Sequence, residues 1–351
     1  MTIHTFEVSA ILTHEKYYKI QTELKLKDPS KWKATKNGMD YWGLSDRGIL
    51  IYTYQVKKKG FYSYYIIYRI SARRVVENDN FVGLFNIKKY SELEEVVDEI
   101  LKDKCSYLPK LKQCNLKRMD FCVNAELDNQ EQVRAYIKTV KRANTPPKLK
   151  IREVYDKTAK RKKPQKGDFT VNSKGYIEIS IYNKYYQMKN EEIYSAEEIE
   201  KAKNIVRIEI RCMEGKIKEL KRKYNIKSIS DFMFYGNKIG KELYNYYLNK
   251  IFNNGTIYTL KEALSRIDDS GYKPENIKLL RDFVKDCNES RSVAETIRNY
   301  KDIYGKEEAK RIIFMLDNID TNYVTVTSSD VKRFENGYIP TPLELVEDIL
   351  K

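Results

Sequence analysis

Three stretches of this chain alternate apolar and polar residues with period two, the pattern of strands buried on one face. In 176–184, Ile177, Ile179 and Ile181 share one face while Glu178, Ser180, Tyr182 and Lys184 share the other. In 206–212, Val206, Ile208, Ile210 and Cys212 oppose Arg207, Glu209 and Arg211. Upstream, in 115–124, Met119, Phe121 and Val123 oppose Arg118, Asp120, Cys122 and Asn124. Placed in one sheet, these strands gather a tyrosine, the carboxylates Asp120, Glu178 and Glu209, and several cations on a single face. Those are the parts phosphodiester chemistry needs.

The remaining pattern fills in around that face. Residues 2–9 read as a strand, 14–26 as an amphipathic helix, and 48–56 with 61–71 as a hairpin turning at Lys57-Lys58-Lys59-Gly60. A stripe of Leu93, Val96, Val97, Ile100 and Leu101 predicts a helix over 90–103. Asp128 is the expected N-cap of a helix over 130–142 that Thr145-Pro146-Pro147 stops, and 148–155 reads as a further strand. From about Lys216 the periodicity is helical, over 216–224, 229–251, 258–266, 275–287, 291–303 and 305–317. The expected fold class is α+β: a large, mainly antiparallel sheet with the helices 14–26, 90–103 and 129–142 on one face, an open catalytic face, and a helical C-terminal region. The domain boundary is expected at 224/225, with a catalytic domain over 1–224 and the helical region, for DNA binding or oligomerisation, over 225–351.

Charge sharpens the picture. The net charge is +16 and uneven: residues 1–212 hold 42 basic against 28 acidic residues, whereas 213–351 hold 24 against 22. A basic face implies a polyanionic partner. A base composition that favours Lys, Ile, Asn and Tyr together accounts equally well for the raw lysine count, though not for its concentration. From Lys141 to Lys174 there are 12 basic and 3 acidic residues, including Lys160, Arg161, Lys162, Lys163 and Lys166. This stretch fits a solvated loop and a phosphate-gripping one. Two histidines, His4 and His14, lack metal-ligand spacing, and five cysteines without a Cys-x-x-Cys pair predict reduced thiols, so zinc chemistry is not expected. No run of about 18 apolar residues exists and the start does not read as a signal peptide, which predicts no membrane association and residence in the cytoplasm.

Asp120 and Glu209 are the hard oxygen ligands that Mg²⁺ or Mn²⁺ prefers, with Glu178 a possible third. A metal there polarises a phosphoryl oxygen. Tyr182 is the candidate nucleophile, and Lys184, Arg207 and Arg211 supply positive field to the phenol or the transition state. A tyrosine nucleophile stores the phosphodiester as a protein–DNA bond that can later be rejoined, and frees a 3′-hydroxyl that can prime synthesis. The alternative stays open at this point. The chain has 29 tyrosines, so one on a strand face is weak evidence, and Arg-x-Glu-x-Arg also suits cross-strand ion pairs.

The ordered set Leu116-Lys117-Arg118-Met119-Asp120, Ile181-Tyr182-Asn183-Lys184 and Val206-Arg207-Ile208-Glu209-Ile210-Arg211 resembles the replication initiators of filamentous bacteriophages, the gene II protein family. More distantly it is similar to rolling-circle initiators of Gram-positive plasmids. The stretches from Phe61-Tyr62 to Val75-Val76, Asn80-Phe81-Val82-Gly83, and Tyr224-Asn225-Ile226 to Phe232 look similar too, so the resemblance covers roughly 60–235. It implies an endonuclease that nicks one strand of a double-stranded phage or plasmid origin, stays attached through a 5′-phosphotyrosine, and later rejoins the strand. By position the family's Tyr-x-Lys falls on Tyr182 and Lys184, its Arg-x-Asp on Arg118 and Asp120, and its Arg-x-Glu-x-Arg on Arg207, Glu209 and Arg211. The chain lacks the His-hydrophobic-His motif of the wider nickases, so the metal assignment rests on chemistry. Arg118 and the basic loop are the expected DNA contacts. Origin DNA and its nicked strand, a host helicase and polymerase, and a second copy at the origin are the implied partners in a bacterial cytoplasm. Tyr185 and Tyr186 are candidates for a second tyrosine role, against the simpler reading that they pack or stack. The rival class is a non-catalytic origin-binding or regulatory DNA-binding protein, indifferent to Mg²⁺ and to Tyr182. Mobilisation of a conjugative element uses the same chemistry.

Overall fold

The computed structural model describes residues 2–77, 83–146, 148–152, 168–190, 194–290 and 292–350. In chain order its strands are β1 (Thr2–Leu12), β2 (Trp32–Thr35), β3 (Gly38–Tyr41), β4 (Ile49–Lys58), β5 (Phe61–Ser71), β6 (Phe85–Asn86), β7 (Asn115–Glu126), β8 (Lys150–Ile151), β9 (Asp168–Ser173), β10 (Ile177–Asn183) and β11 (Ile205–Cys212). Its α-helices begin with α1 (His14–Lys27), α2 (Ala72–Glu77), α3 (Tyr90–Lys104), α4 (Gln130–Val140), α5 (Lys184–Lys189) and α6 (Ala196–Lys201). They continue with α7 (Glu214–Lys223), α8 (Ile229–Phe234), α9 (Gly236–Phe252), α10 (Leu260–Asp268), α11 (Pro274–Glu289), α12 (Val293–Tyr304), α13 (Lys306–Asn318), α14 (Ser328–Val331) and α15 (Pro342–Leu350).

The fold is α+β, with one large antiparallel sheet and the helices concentrated in the C-terminal half. Sheet order is β2-β3-β4-β5-β1-β7-β11-β10-β9-β8, with β6 beside β1. The chain divides into two compact units. Unit 1 comprises Met1–Cys122, Lys174–Ile177 and Ile210–Gly240; unit 2 comprises Val123–Ser173, Glu178–Glu209 and Lys241–Lys351. Strands β7, β10 and β11 contribute residues to both. No described helix is long and apolar enough to cross a membrane, and all five cysteines are buried free thiols.

In unit 1 the alternation of β1, β4 and β5 has the expected consequence. Phe6, Val8, Ile49, Ile51, Ile66, Tyr68 and Ile70 are buried on one face, where α1 adds Tyr17, Ile20 and Leu24 at helical spacing. Burial of each such side chain contributes about 1.5–3 kcal/mol. Thr13 caps α1 by accepting from the Lys16 N–H. The β4–β5 hairpin turns on Lys59 and Gly60, both left-handed (φ 51° and 87°), which is the two-residue geometry matching strand twist. Leu93, Val97, Ile100 and Leu101 form the buried stripe of α3.

In unit 2, α4 is capped by Asn129 rather than the expected Asp128. Asn129 Oδ1 accepts from the N–H groups of Glu131 and Gln132, while Asp128 is tied to the Gln132 side chain. The buried Tyr244 hydroxyl of α9 donates to the Ile208 carbonyl of β11 at 2.9 Å, fixing helix to strand. Residues 229–251, expected as one helix, break into α8 and α9 at Tyr235, with Gly236 opening α9. Added Cβ atoms at Gly236 meet Ile87 at 2.2 Å, so the break is also a close approach. Within the stretch read as a basic loop, 168–173 forms β9; β2, β3, α5 and α6 are further elements whose short patterns the periodicity does not resolve.

Candidate functional site

The predicted site residues form two groups, one in each unit. In unit 1 the register sets Glu7 of β1 opposite Arg69 of β5 on one side and Arg118 of β7 on the other. Glu7 Oε1 accepts from Arg69 Nε at 2.6 Å and from Arg118 Nη1 at 3.1 Å. Arg118 then forks onto Asp120, Nε to Oδ1 at 2.7 Å and Nη2 to Oδ2 at 2.5 Å, the bidentate geometry that makes such pairs strong. Arg211 Nε reaches Asp120 Oδ1 at 3.3 Å. Asp120 is 1% exposed. Burial works against a charged Arg118, but the hydrogen bonds and charge of Asp120 outweigh it and raise the arginine's pKa. Three of the predicted residues, Arg118, Asp120 and Arg211, are thus brought together, and Glu7 and Arg69 complete the row.

In unit 2 the neighbouring strands β10 and β11 bring Tyr182 to Glu209. The phenol Oη donates to Glu209 Oε2 at 3.3 Å, long for an O–H···O bond. Tyr182 is part-exposed and Glu209 is buried. Asn183, directly after the tyrosine, ends β10 and caps α5. Its Oδ1 accepts from the Tyr186 N–H at 3.3 Å while its Nδ2 donates to Gln130 Oε1 at 3.0 Å. Lys184 is therefore the first residue of α5, not a strand residue on the Tyr182 face as the alternation predicts. Its buried ammonium donates to Gln187 Oε1 at 2.5 Å and lies 5.8 Å from the Tyr194 ring. Arg207 is fully buried, with Nε donating to Asn124 Oδ1 at 2.8 Å. Glu178 accepts from Arg152 Nη1 at 2.6 Å, and Thr170 of β9 donates to Ser180 Oγ at 3.0 Å. Tyr185 and Tyr186 meet edge to face at 5.7 Å, and the Arg134 guanidinium lies 5.8 Å over the Tyr186 ring.

The donor set does not fit a Mg²⁺ site of the expected form. Both Asp120 oxygens already receive guanidinium hydrogen bonds, and a cation there would meet two arginine charges. Among the described residues no group of three or more His, Cys, Asp or Glu side chains is placed to hold a metal. Of the expected DNA contacts, Lys160, Arg161, Lys162, Lys163 and Lys166 lie outside the described residues.

Glu7, Arg69 and Arg152 were not singled out by the sequence pattern. A signal for two of them exists: Phe6-Glu7-Val8 and Tyr68-Arg69-Ile70 each set one charge inside an apolar strand. What the pattern lacks is the strand order, which puts β1 between β5 and β7 and so makes the two charges neighbours of Arg118. Comparison with protein-family models, curated proteins and solved structures found no match for this chain.

Proposed function

We propose that this protein is a rolling-circle replication initiator that nicks one strand of a double-stranded origin by tyrosine transesterification. The observation that carries the reading is the Tyr182–Glu209 pair: a part-exposed phenol whose proton points at a carboxylate 3.3 Å away. That is a nucleophile with a base in reach, in the loosened geometry such pairs often have before substrate binds. In the reaction, Glu209 takes the phenolic proton as Tyr182 Oη bonds to phosphorus. The bond from phosphorus to the 3′-oxygen breaks, and that oxygen leaves as a 3′-hydroxyl after receiving a proton from Glu209 or water. The 5′ end remains on Tyr182 as a phosphotyrosine, and attack by a 3′-hydroxyl reverses the step and rejoins the strand. Arg207, held by Asn124 and two residues before Glu209 on the same strand, contributes fixed positive field to the phosphorane. No step is routed through a metal, because the Asp120 carboxylate is committed to Arg118 and Arg211.

The net charge of +16 supports a polyanionic partner. The proposed partners are origin DNA, the nicked strand, and a host helicase and polymerase that extend from the 3′-hydroxyl, in the cytoplasm of a bacterial host. One observation favours a second reading, a non-catalytic origin-binding protein. Asp120, Arg207 and Lys184 are buried and hydrogen-bonded, as structural charges are.

The test is incubation of the full chain with supercoiled DNA carrying the element's own origin, with Mg²⁺, with Mn²⁺ and with a chelator. A nicked circle with protein attached, in any arm, is the expected result, and the chelator arm reads the metal requirement separately. Tight origin binding with no nick in every arm overturns the initiator reading in favour of the non-catalytic one.

A further inference from the structure

The polar row Arg69–Glu7–Arg118 in unit 1 borders a second surface on the same face of the sheet, and that surface is aromatic. Leu50, Tyr52, Tyr54 and Val56 of β4 share the face by alternation, as do Phe61, Ser63, Tyr65, Ile67 and Arg69 of β5 and Ile11, Ser9 and Glu7 of β1. Register makes the patch continuous. Tyr54 faces Tyr65, Tyr65 faces Ile11 on its other side, and Val56 faces Ser63. The Tyr54 and Tyr65 rings are stacked, 5.0 Å apart with 12° between their planes. Arg69 lies 5.3 Å over the Tyr52 ring. The opposite face of these strands is the buried core, yet here Ile11 is 76% exposed, Val56 44% and Phe61 80%. A contiguous aromatic and apolar patch bordered by cations is the kind of surface that marks a binding site.

We infer that this face holds an unpaired nucleic-acid strand, with bases stacking on Tyr54, Tyr65 and Tyr52 and phosphates meeting Arg69 and Lys58, which faces Phe61 in the register. Planar rings beside cations are the recurring apparatus for binding single strands, because every base has a π-face and every linkage a charge. A duplex fits poorly, since its base faces are already stacked inside the helix. A second copy of this chain fits poorly as well. In a two-fold interface the same patch meets itself, setting one exposed Lys57-Lys58-Lys59 turn and Arg69 near their duplicates. The inference goes beyond the nicking chemistry: it is read from binding alone and stands or falls without Tyr182.

The test uses the full chain and two labelled probes, an oligothymidylate of about 20 nucleotides and a duplex of equal length, in fluorescence anisotropy at fixed salt. The double variant Tyr54→Leu/Tyr65→Leu keeps apolar bulk and removes the ring faces. Its expected behaviour is a loss of oligothymidylate affinity of roughly tenfold or more with duplex affinity within about twofold. Unchanged single-strand affinity, or an equal loss on both probes, overturns the proposal. Should the variant fail to fold, the wild-type chain is photocrosslinked to an oligonucleotide carrying 5-iododeoxyuridine. Attachment within β4 or β5 supports the inference, and attachment only elsewhere overturns it. A wild-type dimer that Ile11→Lys dissociates without altering oligothymidylate binding assigns the face to a second copy and also overturns it.

Discussion

In unit 1 the Asp120 carboxylate takes a two-point fork from Arg118 and a further bond from Arg211, whereas in unit 2 the Glu209 carboxylate meets the Tyr182 hydroxyl at 3.3 Å. Both carboxylates are buried and both sit on central strands of the sheet. The difference lies in the grip of these contacts. A carboxylate forked by a guanidinium has low-energy geometry to lose and little to gain from a substrate. A long hydrogen bond to a part-exposed phenol is cheaply remade when a phosphate arrives. On the proposed reading Asp120 serves stability and Tyr182 with Glu209 serve chemistry, and both halves are open to attack.

The largest effect expected is on Tyr182. Tyr182→Phe removes the hydroxyl alone and is predicted to abolish nicking, by more than about a thousandfold, with origin affinity within about twofold. A nicking assay beside a mobility-shift titration checks both, and retained nicking reassigns the nucleophile. Next comes Asp120→Ala, which removes the anion that Arg118 forks and Arg211 reaches, leaving Arg118 only Glu7's single bond. It is expected to cost about 3–5 kcal/mol in urea unfolding, as breaking a buried pair from one side does. A loss below about 1 kcal/mol with nicking abolished transfers Asp120 from the structural to the chemical side of the comparison. Glu209→Gln keeps the shape and removes the base. It is predicted to slow nicking about a hundredfold in single-turnover kinetics while costing less stability than Asp120→Ala.

The smallest effect concerns a third carboxylate, Asp168. Desolvation pushes the Asp168 carboxyl up to about 6, with the Lys141 charge pulling the other way. The folded chain therefore keeps this proton where the unfolded chain, with an ordinary carboxyl near 3.9, has released it. The stabilisation belongs to the acid side and is lost as pH rises from about 4 to about 6. Asp168→Asn is expected to flatten that fall, a difference on the order of 1 kcal/mol once solvent screening of the half-buried group is allowed for. Urea melts at about pH 4 and about pH 7 read it, and an unchanged profile contradicts the assignment.

Much of this was legible in the chain because period-two alternation is a strong signal. The strands holding Asp120, Tyr182 and Glu209 stand where the pattern puts them, as do the 49–71 hairpin and the stripe of α3. Short elements were not legible. The four-residue strands β2 and β3 and the six-residue β9 offer too few periods to separate strand from loop, and β9 is further masked by the surrounding lysines. Lys184 was misplaced onto a strand because Ile181-Tyr182-Asn183-Lys184 continues the alternation. Only the Asn183 side chain, accepting from the Tyr186 N–H, turns the backbone into α5. The far end of the row beyond Arg118 was hidden for another reason. Arg118 and Arg211 were visible as neighbours in pattern, but Glu7 and Arg69 join the row through strand order, a property of the whole topology.

The central claim is that the Tyr182 phenol is the group that reacts. The most direct measurement is peptide mapping of the covalent adduct formed by the full chain on its own origin DNA. The account predicts a nucleotide attached to Tyr182. Attachment to Tyr185, Tyr186 or any other residue, or quantitative nicking with no attached nucleotide, contradicts it.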